Sequence, residues 1–381
     1  MKQLTFIKPK TLAWWDVPEP ELRSPLEALV RPFVAARCDG DAMFLRHDFE
    51  SLLRVGASLH LVDSSFGSAE RDVFHGPFPY GHECIAEVVA IGDMVRDHAV
   101  GDVVVVPWAV SCGLCGCCGR GLTSHCERAT TPIAAYGFGK AIGDYGGMVS
   151  DRVRVPYADA MLVPVPSGLD PVAIASASDN MPDAYRAVAP QLEKMPGAPV
   201  LIVGGAAKSI GLYAAGMAVA LGSSRVDYLD TNAERLQIAE QLGARPVALR
   251  QDAGWFRRRW PVAREAYPIA VDASGSTSGL SYALVSLAPG GTCTALAFYL
   301  RKGTPLPLWN MYLKSATLHV GVAHPRAHVP AVLELIARGG FDPRKLDPML
   351  GTWDEADRIL LEPAVKVVIQ RGRLFAPPSE A

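Results

Sequence analysis

The sequence has no run of about 18 apolar residues, the length a membrane-spanning helix needs, so no span is expected. Its first ten residues carry no apolar stretch of signal-peptide length, which argues against export. Net charge is small, −2 at pH 7, so no global field recruits nucleic acid or an anionic membrane. No internal repeat is visible. The 35 glycines and 30 prolines are spread along the chain, so they read as tight turns between short elements, not as a low-complexity tract. These absences leave a cytoplasmic globular protein with no nucleic-acid or membrane partner.

What is there describes two domains. At 381 residues, 49% hydrophobic and 20% charged, the chain exceeds one ordinary core. Residues 1 to about 165 hold short β-type runs broken by Gly and Pro, at 28–32, 85–91 and 102–107. This spacing predicts a partly open barrel or sandwich. Near residues 161–166 the character changes. From about 170 to 315, β-type runs alternate with helical patterns, which predicts βαβ units and a parallel sheet. The tail from about 316 to 381 is mixed, with a helix over 330–338 stopped by Gly339 and Gly340.

Five of the eight cysteines crowd between 112 and 126. Without an export signal, that reads as metal ligation. Cys112, Cys115, Cys118 and Cys126 are spaced C-x2-C-x2-C-x7-C on a glycine-rich stretch. Four thiolates make a closed tetrahedral site, hence a structural zinc. A disulfide knot or an iron–sulfur cluster are the alternatives. Cys117 is a fifth thiol outside the set, open to oxidation if exposed.

A second constellation is dispersed. Gly81-His82-Glu83 follows a Pro-containing turn and leads into the apolar run 84–92. A turn thus presents an imidazole and a carboxylate at the mouth of a strand. By itself it is also readable as a plain surface or core turn. Cys38 follows the apolar residues 33–36 and alone reads as a small buried hydrophobe. Together they offer a thiolate and an imidazole. Catalytic zinc takes three protein ligands and keeps a fourth position open. Asp179, just past the change of character where a cleft between domains would form, is the choice for the third. The alternative is that Asp179 caps a helix starting near Pro182.

Residues 199–203 form a buried parallel-strand run. It feeds Gly204-Gly205-Ala206-Ala207-Lys208-Ser209-Ile210-Gly211 and then a helical pattern to Leu221. Glycines at such a turn let backbone amides approach a pyrophosphate at a helix N-terminus. Ala206 stands where G-x-G-x-x-G has its second glycine, and the loop is one residue longer. The next strand, 225–230, ends in Asp230. An acid there suits the ribose diol of NAD and repels the 2′-phosphate of NADP. Alternatively Asp230 only begins a turn, with Thr231 and Glu234 set for a capping box. The basic run 257–259 reads as a solvated helix face, with phosphate binding as the alternative.

Cys38, Gly81-His82-Glu83 and the four-cysteine lobe together resemble the zinc-dependent medium-chain dehydrogenases/reductases, the alcohol dehydrogenase superfamily. The resemblance covers nearly the whole chain. Asp179 with Pro182 shortly after is similar to the formaldehyde dehydrogenase branch. The resemblance implies an α/β fold in two parts. A GroES-like β-rich catalytic domain would comprise 1–167 and 316–381, with the structural zinc lobe at about 110–127. A Rossmann doubly wound parallel-sheet domain would comprise 168–315. It further implies two zinc ions per chain, NAD in preference to NADP, a small-molecule substrate, and a homodimer or homotetramer. The implied chemistry is hydride transfer between NAD(H) and an alcohol, aldehyde or ketone at the catalytic zinc. Glu83 would assist ligand exchange and Asp41 would orient His82. The implied cofactor contacts are Gly204, Gly205, Ala206, Ser209, Ile210, Gly211, Asp230, Thr231, Arg235, Ser274 and Phe298. Trp108, Phe298, Trp309 and Met311 fall near the family's substrate-pocket regions.

Two departures stand out. The family usually reads Cys-Gly-Ser/Thr-Asp where this chain reads Cys38-Asp39-Gly40-Asp41, so the hydroxyl that passes the alcohol proton is missing. The relay's next histidine is out of register, and the nearest is His47. A water or His47 could relay the proton, or Tyr136, Ser178 or Tyr80 could substitute. Otherwise the reaction needs no such proton, as in reduction of a conjugated or iminium double bond. A non-catalytic cofactor-binding relative is a third functional reading. The interval from Cys38 to His82 is also longer than the family's. The extra residues, around 46–74, read as a pocket wall or lid, or as a surface excursion or oligomer contact.

Overall fold

The structure, a computed structural model, describes residues 1–62, 74–129, 131, 133–139, 142–251, 258–259 and 266–375. The chain divides into two compact units. One comprises Met1–Pro182, His324–Ala337 and Pro348–Ala381; the other comprises Asp183–Ala323 and Arg338–Asp347.

The first unit is built on a seven-stranded sheet. Its order is Met349–Thr352, Val367–Gln370, Ala28–Ala36, Glu83–Ile91, Val103–Val106 and Val163–Pro164, with Val153–Val155 also paired to Ala28–Ala36. The central strands are Val, Ile and Ala runs because both faces are covered. In Ala28–Ala36 every residue but Arg31 is buried. Pro32 has no N–H for the ladder, and the register shifts between Pro32 and Val34. The strand then ends at Ala36, which pairs antiparallel with Glu83. The residues just beyond Ala36 and just before Glu83 therefore leave the same end of the sheet, and these include Cys38 and His82. A smaller sheet pairs Thr11–Asp16, Lys2–Lys8 and Phe78–Pro79.

The long interval after Cys38 is helical over Asp41–Arg46 and Phe49–Ser58. The second helix is capped by Asp48, whose side chain accepts from the Ser51 N–H at 3.0 Å. Residues 63–73 of the expected insertion lie outside the described residues.

The second unit holds six parallel strands in the order Arg245–Ala248, Val226–Asp230, Val200–Val203, Tyr267–Asp272, Leu287–Ala295 and Thr317–Val320. The order reverses beside Val200–Val203, the first strand of the doubly wound sheet. The sheet runs past residue 315, because Thr317–Val320 pairs with Leu287–Ala295. Helix Lys208–Ala220 is almost wholly buried, and its small residues permit that. A Cβ on Gly211 would stand 3.0 Å from the Ala273 Cβ.

Two expectations are corrected here. Helix Ala233–Gln241 is capped by Asn232, whose side chain accepts from the Arg235 N–H at 2.9 Å. The Thr231/Glu234 box does not form, because the helix starts one residue later than that box requires. The basic run is not a helix: Arg258–Arg259 form a short strand paired with Arg250–Gln251. Arg257 lies outside the described residues. The tail helix, Pro325–Ala337, begins before Pro330, and Gly339 follows it at φ +70°.

Candidate metal centre and cofactor site

Cys38 Sγ, a His82 ring nitrogen and an Asp179 carboxylate oxygen lie within 4.8 Å of one another, and all three residues are buried. All three belong to the first unit. The turn before His82 depends on Gly81, which takes φ +95°. A Cβ there would stand 2.6 Å from Val149 Cγ2. The Gly81 carbonyl accepts from the Met148 N–H at 2.7 Å, which locks the turn. His82 Nε2 stands 3.4 Å from Asp179 Oδ2. Two ligands each about 2.0–2.1 Å from one tetrahedral zinc are about that far apart. His82 Nδ1 stands 3.6 Å from Asp41 Oδ1, and both are buried without a hydrogen bond. A metal on Nε2 puts the ring proton on Nδ1, aimed at this acid. Tyr80 donates to the other Asp41 oxygen at 2.8 Å. Phe138 stacks on the imidazole at 4.5 Å, and Trp108 meets it edge-on at 6.5 Å.

The surrounding hydrogen bonds form one connected network. Lys366 Nζ donates to Glu83 Oε2 at 2.6 Å and to Asn180 Oδ1 at 2.8 Å. Asn180 Nδ2 donates to Cys38 Sγ at 3.1 Å and to Asp179 Oδ2 at 3.0 Å. The Asn180 backbone N–H reaches Glu83 Oε1 at 3.1 Å, and the Gly40 N–H reaches Cys38 Sγ at 3.3 Å. Burial, followed by the carboxylates of Asp179, Asp41 and Glu83, pushes the Cys38 thiol well above its ordinary value. Burial opposes a charge on His82, yet Asp41, Asp179 and Glu83 outweigh it and push the imidazole up to about 9. Three carboxyls and a thiol buried around one imidazole are a setting for a cation, and a thiolate, an imidazole and a carboxylate are donors that suit zinc. The residues fit the metal.

The relay candidates fare differently. His47 is exposed at the C-cap of Asp41–Arg46, outside the cluster. Tyr136 Oη donates to the Arg154 carbonyl at 3.0 Å. Ser178 Oγ donates to the Cys84 carbonyl at 2.9 Å and accepts from the Cys84 N–H at 3.0 Å. Only Tyr80, through Asp41, is joined to the cluster among these candidates. Asn180, Lys366 and Phe138 went unread in the sequence. Lys366 did leave a signal, a lone cation entering the apolar strand Val367–Gln370.

Sulfur atoms of Cys112, Cys115, Cys118 and Cys126 lie within 4.8 Å of one another. Backbone N–H groups point at them: Cys112 to Cys126 at 3.3 Å, and both Cys118 and Glu127 to Cys115 at 3.4 Å. The last two pull the Cys115 thiol down to about 6, toward the thiolate a metal needs. Cys117 stands outside the four, with Arg120 at its sulfur. All eight cysteines are free, so the lobe is not a disulfide knot.

At the glycine loop, a Cβ on Gly204 would stand 2.5 Å from Asp230 Oδ2, and one on Gly205 would stand 2.6 Å from the Ser274 carbonyl oxygen. The Ala206 and Ala207 N–H groups donate to the Ser274 and Ala273 carbonyls at 3.2 and 3.0 Å. Helix Lys208–Ala220 follows with no side-chain cap at Ala207, an opening that suits a phosphate. Ser209, Ile210 and Gly211 are buried in its first turn. Asp230 is buried and held by Arg235 through two bonds of 2.7 and 2.6 Å, by Tyr228 Oη at 3.1 Å, and by the Thr231 and Asn232 N–H groups. Ser274 Oγ donates to Asp272 at 2.6 Å, so its side chain is an internal prop. Phe298 and Trp309 are exposed, and Met311 packs on the second unit's core.

Residues 25–167 match the family described as alcohol dehydrogenase GroES-like domain, and residues 209–338 match that described as zinc-binding dehydrogenase. The chain is 25% identical over 362 residues to zinc-type alcohol dehydrogenase B of Aspergillus flavus, covering 92% of this chain and 76% of that protein. It is 35% identical over 209 residues to glutathione-independent formaldehyde dehydrogenase of Pseudomonas aeruginosa, covering 52% and 51%. Its fold is similar to that of an alcohol dehydrogenase from Thermus sp. ATN1, with a TM-score of 0.78 and 29% identity, covering 97% and 99% of the two chains.

Proposed function

The chain belongs to the zinc-dependent medium-chain dehydrogenase/reductase family, and from its site we propose an NAD-dependent alcohol dehydrogenase-like enzyme with two zinc ions per chain. It is a zinc-dependent alcohol/aldehyde oxidoreductase. The observation that carries the finer reading is the buried Cys38–His82–Asp179 cluster, whose three donors leave a tetrahedral ion one open position. Zinc held there would supply Lewis acidity toward a carbonyl or alcohol oxygen, and a bound nicotinamide would supply the hydride chemistry.

The chain's own residues do the positioning. Cys38, His82 and Asp179 hold the ion; Asp41 orients His82, and Tyr80 orients Asp41. Lys366 donates to Glu83 beside the ligands and works against the rise that burial imposes on its carboxyl. Phe138 and Trp108 exclude water from the imidazole face. Cys112, Cys115, Cys118 and Cys126 hold the second, structural ion. The first turn of helix Lys208–Ala220 would take the pyrophosphate, and Asp230, at the end of Val226–Asp230, would meet the ribose diol, the placement that favours NAD over NADP.

Elemental analysis should find about two zinc ions per chain, by the one-open, one-closed argument. A cofactor-reduction screen over aliphatic, aromatic, amino and sugar alcohols should respond with NAD. One metal per chain removes the open site, and a kcat/KM advantage with NADP overturns the reading of Asp230.

One observation favours a second reading. Gly40 has no hydroxyl, and His47, Tyr136 and Ser178 are not joined to the cluster. A same-fold reductase of conjugated or iminium double bonds needs no alcohol proton. Asp179→Ala separates the two: near-normal turnover after loss of the open-site metal favours the reductase.

We also assign a homodimer or homotetramer. Thr317–Val320 ends the parallel sheet, and Leu308, Trp309, Tyr312 and Leu313 beside it are exposed. Light scattering that returned a monomer would overturn this. Eight unpaired thiols suit a reducing cytoplasm.

A further inference from the structure

We propose that Asn180 is a positioning residue that sets the donor strength of the Cys38 sulfur, with Lys366 fixing which way its carboxamide faces. The inference rests on Cys38, His82 and Asp179 being the open zinc site.

Asn180 is fully buried and Lys366 is 1% exposed, so neither can exchange its partners for water. The two ends of a carboxamide have nearly the same shape, and only hydrogen bonding distinguishes them. Lys366 offers donors only. Its Nζ, 2.8 Å from the amide, must therefore meet Oδ1. A flipped amide would set an NH2 group against an ammonium. With Oδ1 fixed, both hydrogens of Nδ2 face the ligand set, one toward Cys38 Sγ at 3.1 Å and one toward Asp179 Oδ2 at 3.0 Å. The same NH2 group thus serves both anionic ligands.

An N–H bond to a thiolate withdraws electron density from the sulfur. The sulfur becomes a weaker donor and the ion a stronger Lewis acid. The ammonium polarises the amide it bonds, so its charge reaches Cys38 without touching it. Asn180 also anchors Glu83 through its backbone N–H, a contact that side-chain substitution leaves in place.

The test uses full-length protein with zinc in the four-cysteine site and cobalt in the open site. Asn180→Ala removes the NH2 group, and Asn180→Leu does so while keeping the volume, so it carries the test if a cavity unfolds the first. In both, the thiolate-to-cobalt charge-transfer band should move to longer wavelength, because the sulfur regains the electron density that the N–H bond withdrew. Lys366→Met should move the band in the same direction with Asn180 intact. A band at the wild-type wavelength, in variants that keep cobalt and the four-cysteine zinc, overturns the inference alone. Wild-type protein that takes no second metal overturns both the inference and the function it rests on.

Discussion

At Gly81 the backbone angle decides whether His82 reaches the ligand set. Its φ of +95° costs a residue with a side chain about 1–3 kcal/mol. The position is also closed, with Val149 Cγ2 2.6 Å from where a Cβ would stand. Gly81→Ala should lower stability by about 1–3 kcal/mol and lose the open-site metal while keeping the four-cysteine one. Denaturant midpoints and metal counts on the same sample check this; an unchanged metal count sinks it. Lys366 makes a second case. Its ion pair with Glu83 is buried on both sides, at 1% and 0% exposure. Lys366→Met strands a buried carboxylate and should cost about 3–5 kcal/mol. Adding Glu83→Gln should recover much of the loss, because the uncompensated charge goes; chemical denaturation of the two variants decides. Cys38, His82 and Asp179 were legible in the sequence because few residue types bind zinc. Asn180 and Lys366 were not. An amide beside an acid, or a lysine before a strand, has many uses, and only the fold brings residues 180 and 366 together.

Among elements, the strand–loop–helix unit around Gly204 is the most constrained. Residues Val200–Val203 end in a loop whose N–H groups bond the 273–274 backbone. A Cβ on Gly205 would meet Ser274 Cα at 2.7 Å as well as its carbonyl oxygen. Both are backbone atoms of a neighbouring strand end, so the loop itself must shift. Gly205→Ala should leave the unit folded and weaken NADH binding by about 1–3 kcal/mol, the usual range for overpacking, or roughly 5- to 150-fold in Kd. Calorimetric titration checks it, and an unchanged Kd would show that the loop does not hold the cofactor. The apolar runs and the glycine loop were readable because buried parallel strands and tight turns restrict composition. The strand Thr317–Val320 was not, because its exposed pattern resembles the mixed tail around it. The cap at Asn232 was missed because several capping residue types stand in a row at 230–232.

Across the whole first unit, one side chain ties distant segments together. Arg371 donates to the Pro32 carbonyl at 2.8 Å, to the Ser150 carbonyl at 2.8 Å and to Asp151 Oδ1 at 2.8 Å, and it lies over the Trp353 ring at 4.1 Å. Asp151 in turn accepts from the Lys2 N–H at 2.7 Å. Burial works to raise the Asp151 carboxyl, but the Lys2 N–H and Arg371 outweigh it and hold it below its ordinary value. A carboxyl depressed in the folded state contributes stability that is complete above the unfolded value, about 3.9. That contribution is lost as pH falls through the lower, folded value. Asp151 is 40% exposed, so solvent screening keeps the pair's worth below about 1 kcal/mol. Asp151→Asn should therefore lower stability by less than about 1 kcal/mol at neutral pH. The gap from wild type should close as pH falls below about 4, where the Asp151 carboxyl of the unfolded chain begins to protonate and the folded one follows at lower pH. Denaturant midpoints of both proteins across that range test it. A gap that stays constant, or widens toward acid, means that Asp151 acts by shape and not by charge.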